Sequence, residues 1–164
     1  GQVKGFGPGM VLDRKEVRHS DPFVHYAVYA ASQAFDNAGL DMDRIDADRV
    51  GVIFGSGIGG IGTFERQHSV LLDRGPTKVS PFFVPMMICD MCAGMISIKL
   101  GARGPNYTTV SACASAAHAI GEAARKELTE LLGQKVHLFL HVKTDERWSE
   151  DKEMFEEMGL EWKS

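Results

Sequence analysis

The stretch Pro105-Asn106-Tyr107-Thr108-Thr109-Val110-Ser111-Ala112-Cys113-Ala114-Ser115 decides the fold. It reads as a β-strand that runs into a turn of small residues and opens a helix. Ala117, Ile120, Ala124, Leu128 and Leu131 then recur at steps of three and four, the mark of one helical face. A cysteine sits at the turn. The first N–H groups of a helix have no partner inside it and carry positive partial charge. A thiol so placed ionises more easily, and the thiolate is the nucleophile. Cysteine is also a small, frequently buried core residue, so position by itself leaves both readings of Cys113 open.

Outward from this stretch, the pattern alternates. Asp21-Pro22 starts a helix, with Asp as N-cap and Pro at the first helical position. Phe23, Tyr26, Ala27, Ala30, Ala34 and Ala38 continue it to a terminating Gly39. Asp41–Asp48 is a polar connection, and Val50–Phe54 reads as a buried strand. Thr63–Asp73 makes a short helix, broken at Gly75-Pro76. Ser80–Pro85 reads as an extended link into one long apolar helix, about Met86 to Leu100. Gly133 closes the helix after Cys113. Val136, Leu138, Leu140 and Val142 alternate as a strand, and Met154, Phe155 and Met158 mark a last short helix ending at Gly159. Residues 1–20 show no clear period and read as a surface arm. The whole is a single α/β domain of three layers, with a small, mostly parallel sheet between helices.

Composition narrows the function. The chain has 164 residues, 44% of them hydrophobic, and a net charge of −4. That is enough apolar material for a core, and there is no global basic field to hold nucleic-acid phosphates. No run has the length of a membrane span, and Gly1–Gly5 lacks the apolar region of a secretory signal, so a cytoplasmic protein is expected. Three cysteines, Cys89, Cys92 and Cys113, argue against a disulfide framework.

Other motifs weigh less. Gly55, Gly57 and Gly60 satisfy the G-x-G-x-x-G spacing of a dinucleotide loop, yet no acidic strand end follows at the expected distance. Close backbone approach is the better reading of these glycines. Cys89-Asp90-Met91-Cys92 has C-x-x-C spacing without the second ligand pair that zinc requires, so packing is favoured. His118 reads as a structural helix residue. His137 and His141 share one strand face, which reads as solvated. No metal or cofactor is expected.

Larger blocks carry a family resemblance. Val50–Gly60, Val79–Met87, Gly104–Tyr107, and Ser111–Ser115 with His118–Gly121 resemble the N-terminal half of the type II elongating β-ketoacyl-acyl-carrier-protein synthases, from about Val3 to Arg125. The resemblance implies a thiolase-like fold and Cys113 as the acyl-accepting nucleophile. It also implies two histidines, a lysine and a glycine-rich phenylalanine loop from a C-terminal half that the remaining residues do not match. Cys89 and Cys92 stand where the family pattern has Pro and Ala, and Ala116-Ala117 where it has Gly-Thr-like residues.

The tail resembles something else. Residues from about Ile120 to Trp162, including Lys135–Lys143 and Asp145–Trp148, are similar to the C-terminal KH-type domain of the bacterial ribosome-assembly GTPase Era. The G-x-x-G loop that clamps RNA in KH modules is missing. The resulting expectation is a recombined or engineered chimera, in which the strand Val136–Val142 completes the sheet beside Val50–Phe54. It is expected to lack efficient catalysis of either parental reaction. Residual acyl transfer to Cys113 is the first alternative and an RNA-binding tail the second, disfavoured for want of its loop. The partners implied are acyl-carrier protein or another acyl thioester, and a second copy of the chain through the edge at Tyr107–Ala112. A membrane is not expected as a partner.

Overall fold

A computed structural model of the chain describes residues 3–132, with side chains to residue 127. The expected tail strand Val136–Val142, with His137, His141, Trp148, Trp162 and the last helix, lies outside the described residues. The described elements run α1 (Arg14–Arg18), α2 (Pro22–Asn37), β1 (Val52–Gly55), α3 (Ile61–Arg74), α4 (Phe83–Met87), α5 (Met91–Leu100), β2 (Asn106–Thr109) and α6 (Ser115–Leu132).

β1 and β2 pair in parallel, with Val52 opposite Asn106 and Gly55 opposite Thr109. A parallel pair needs a crossover between its strands, and α3 to α5 supply it. Alternate side chains of a strand point to opposite faces. On one face Val52 and Phe54 pack against the core built by Leu12, Val24, Ala27, Val28, Cys92 and Ile96, from α2, α5 and the segment before α1. On the other, α6 lies over both strands. The three layers expected are therefore present.

The helix start at Asp21 holds. Its carboxylate accepts the Phe23 N–H at 3.4 Å, and Pro22 occupies the first position. Its second oxygen accepts the N–H and hydroxyl of Thr63, at the start of α3. Arg66 donates to the same Thr63 hydroxyl at 2.7 Å. Gly101 ends α5 in the left-handed conformation, φ 72°, as a glycine C-cap does.

Two expectations are corrected. The apolar run Met86–Leu100 is not one helix. It breaks at Ile88, whose backbone is extended, and α5 restarts at Met91. The reason is a competing hydrogen bond. The Met87 carbonyl accepts the Gly60 N–H at 2.8 Å, while the Met91 N–H goes to Ile88 instead. Helix also begins earlier than expected, at Phe83, with Pro85 in its first turn, where a missing N–H costs nothing.

The second correction concerns the expected arm 1–20, whose described part, residues 3–20, is more than an arm. Pro8–Met10 makes a 3-10 turn, and α1 opens with a capping box in which Asp13 accepts the N–H groups of Lys15 and Glu16, and the Glu16 carboxylate accepts that of Asp13. Between them Leu12 is buried in the core. Leu12 ends the short apolar run Met10-Val11-Leu12, which is too brief to show a period, so nothing in the sequence singles out its burial. Replacing Leu12 by Ala is expected to cost about 3 kcal/mol, in the range for a large-to-small core substitution. Urea unfolding checks this, and a change below about 0.5 kcal/mol, the scale of a surface substitution, would return the segment to the status of an arm.

Candidate functional site

The Cys113 turn is built by three segments that meet at the upper end of the sheet. β2 delivers the chain to Ser111, residues Ala112–Ala114 form a 3-10 turn, and α6 starts at Ser115. Cys113 thus lies just before the helix proper, and its side chain is exposed. Ala112 has φ 49°, the one positive-φ residue other than glycine among those described. A residue with a Cβ held there costs roughly 1–2 kcal/mol, a strain that persists only where neighbours enforce it.

The neighbours are specific. The Ser115 hydroxyl accepts the Ser111 N–H at 2.9 Å and donates to the Ala112 carbonyl at 2.7 Å. The Thr109 hydroxyl donates to the Ser115 carbonyl at 2.8 Å. Ser111 Oγ and His118 Nδ1 are 2.6 Å apart, one helical turn into α6. His118 therefore does reach the turn, although it bonds Ser111. These serines escaped the sequence reading, which weighed Ser111 and Ser115 only as small residues. Their hydroxyls flank the cysteine at two residues on either side, and that symmetry was the available signal.

The glycine loop after β1 forms the other wall. A Cβ on Gly55 would collide with the Ser115 carbonyl, and one on Gly57 would sit 3.3 Å from the Ala112 carbonyl. Gly59 and Gly60 press in the same way against the Met87 and Met86 carbonyls. Close backbone approach is what these glycines provide, as expected. Beyond them opens an apolar cleft of about 380 Å³, lined by Ile58, Ile61, Phe64, Met87, Ile88 and Cys89. The break in the helix at Ile88 turns that side chain and Cys89 into the cleft lining. Cys92 goes elsewhere. It is fully buried in the core, so the C-x-x-C pair is split between two environments.

With this geometry in hand, the chain can be set beside known proteins. The sequence pattern described as Beta-ketoacyl synthase, N-terminal domain, matches residues 5–132. This chain belongs to the β-ketoacyl synthase family. The synthase match continues seven residues past Arg125, to the end of α6. The chain is 49% identical over 125 residues to 3-oxoacyl-[acyl-carrier-protein] synthase 2 of Synechocystis sp., and 53% identical over 123 residues to the synthase 2 of Staphylococcus aureus. These matches take in 76% and 75% of this chain and 30% of each relative, so the chain spans under a third of their length. Among solved structures, a type II polyketide ketosynthase in complex with its acyl-carrier protein superimposes with a TM-score of 0.70 at 25% identity, covering 74% of this chain and 35% of that one. The ishigamide ketosynthase/chain length factor superimposes at 0.71 with 21% identity, over 79% of this chain and 32% of its own, a likeness of fold alone. The synthase segment is thus a fragment of a thiolase-like α/β fold, and no described helix is long and apolar enough to cross a membrane.

The cysteines of this synthase segment differ in chemistry. Burial pushes the Cys92 thiol up to about 12, with Cys89 and Asp90 adding to the effect. It therefore stays protonated, and unreactive as a nucleophile, throughout the neutral and mildly alkaline range. Iodoacetamide at pH 8 is expected to modify Cys113 in the native chain and to reach Cys92 only after unfolding in urea. Peptide mass mapping checks this, and equal native rates at the two residues would contradict the burial.

Proposed function

We propose that Cys113 is the acyl acceptor of this chain, taking an acyl group from a thioester as the first half of a condensation. The observation that carries the reading is an exposed thiol on a strained turn between a parallel strand and a helix start, in a segment half identical to named 3-oxoacyl-acyl-carrier-protein synthases. In the step, the Cys113 sulfur attacks the thioester carbonyl carbon. The new carbon–sulfur bond forms, the donor's breaks, and the donor leaves as a thiol carrying the proton that Cys113 gave up. The donor is acyl-carrier protein or a small acyl thioester, and the setting is fatty acid biosynthesis in the cytoplasm. The open apolar cleft beside the glycine loop offers the acyl chain an apolar surface. Residues 1–164 by themselves support acyl capture more than a complete condensation, because the histidines and lysine that the family resemblance implies for the second half have no match among them.

Incubation with an acyl thioester is expected to add one acyl mass to the intact chain. Cys113→Ala should abolish the addition. An acyl adduct that persists in this variant, or none in the parent chain, removes the reading.

The same proposal takes the tail as a KH-like segment that adds a strand to β1, and a second copy as the partner of β2. The Val52 and Ser56 N–H groups donate to the carbonyls of Pro105 and Thr109, and amides alternate along a parallel ladder, so those of Ile53 and Gly55 face the opposite edge. At the start of β1 is a cavity of about 410 Å³, lined by Ile45, Gly51, Ile53, Pro105, Ala123 and Lys126. α6 runs back along β1 towards this cavity, which is where a parallel strand after it would begin. Amide exchange reads both edges. Ile53 should be protected at every concentration, and Thr108 on the outer edge of β2 only at high concentration. Rapid exchange at Ile53 would remove the added strand, and protection of Thr108 that is independent of dilution would remove the dimer.

A further inference from the structure

Ser115 stands apart from its neighbours. It is 3% exposed, whereas Cys113, Ala114 and Ala116 are all exposed. Its two hydroxyl bonds fall on either side of a single residue. One takes the Ser111 N–H, before Ala112, and the other reaches the Ala112 carbonyl, after it. The bonds therefore bracket the φ and ψ of the residue that carries the left-handed strain, and Cys113 comes next in the chain. The Ser115 backbone is held in turn, by the Thr109 hydroxyl on its carbonyl and by the contact with Gly55.

We infer that Ser115 is a positioning residue for Cys113. Its hydroxyl holds Ala112 in the left-handed conformation, and this sets the direction in which the thiol is presented. The bond between Ser111 and His118 is an outer restraint on the same turn. It lies at an exposed position, where water substitutes for either partner, so it contributes less than the buried clamp. The inference rests on the reading of Cys113 as a nucleophile, and its test uses an electrophile that needs no acyl donor.

The experiment measures the rate of Cys113 alkylation by iodoacetamide in the full chain from pH 6 to 10, by intact mass, with thermal unfolding recorded alongside. Ser115→Ala should lower the rate at least fivefold and displace the midpoint of its pH profile, while His118→Ala stays within twofold of the parent chain. Glycine adopts the left-handed conformation without steric cost. The double variant Ser115→Ala with Ala112→Gly should therefore regain at least half of the lost rate. A Ser115→Ala rate and profile equal to the parent's would overturn the inference. So would a double variant as slow as Ser115→Ala. If Ser115→Ala is unfolded at the assay temperature, the double variant decides: native-like alkylation and profile support the clamp, and the unfolded chain's rate overturns it. Failure of acyl loading with these alkylation results intact would count against the acyl-acceptor reading and leave the clamp standing.

Discussion

The fold turns on one contact between two backbones, where β1 ends at Gly55 and α6 begins at Ser115. No side chain fits between them, because a Cβ at Gly55 would overlap the Ser115 carbonyl. This closeness lets α6 lie directly over the strands, and it brings the end of β1 against the turn that follows β2. The parallel register, the placement of the helix layer and the presentation of Cys113 all follow from it. Thr109 reinforces the contact from the neighbouring strand, its hydroxyl also lying 3.4 Å from the Phe54 carbonyl. Further down the helix, the Tyr107 hydroxyl donates to Glu122 at 3.5 Å and Lys126 sits over the Tyr107 ring, which fastens α6 to β2 at Tyr107.

Much of this was readable from sequence because it rests on local chemistry. Asp21-Pro22, Gly39, Gly75-Pro76 and Gly101 act through their own φ, their own N–H or their nearest neighbours, and the structure places helix ends at each. The glycine loop was read correctly as a place of close approach, though what it approaches could not be read, since Ser115 and Met87 are distant in the chain. The family resemblance located Cys113. The serines around it are polar residues whose meaning depends on hydrogen bonds across four residues of an irregular turn, and irregular turns have no period.

The error at Met86–Leu100 is instructive for the same reason. The run from Met86 to Leu100 is mostly apolar and free of proline, and it holds only one glycine, Gly94, so nothing within it forces a break at Ile88. The break comes from outside the segment, when the Gly60 N–H takes the Met87 carbonyl. One hydrogen bond then has two effects, ending a helix and turning Ile88 and Cys89 towards the cleft. An unbroken helix would place Cys89 and Cys92 on one face. With the break, Cys92 enters the core and Cys89 does not.

The carboxylate of Asp21 shows how local and distant order are joined here. One oxygen caps α2, two residues away. The other holds the start of α3, across a separation of 42 residues. The most local signal in the chain is thus completed by one of its more distant contacts. The Asp21 side chain ties the first turn of α3 to the first turn of α2, a link between the two helix starts that is separate from the apolar core.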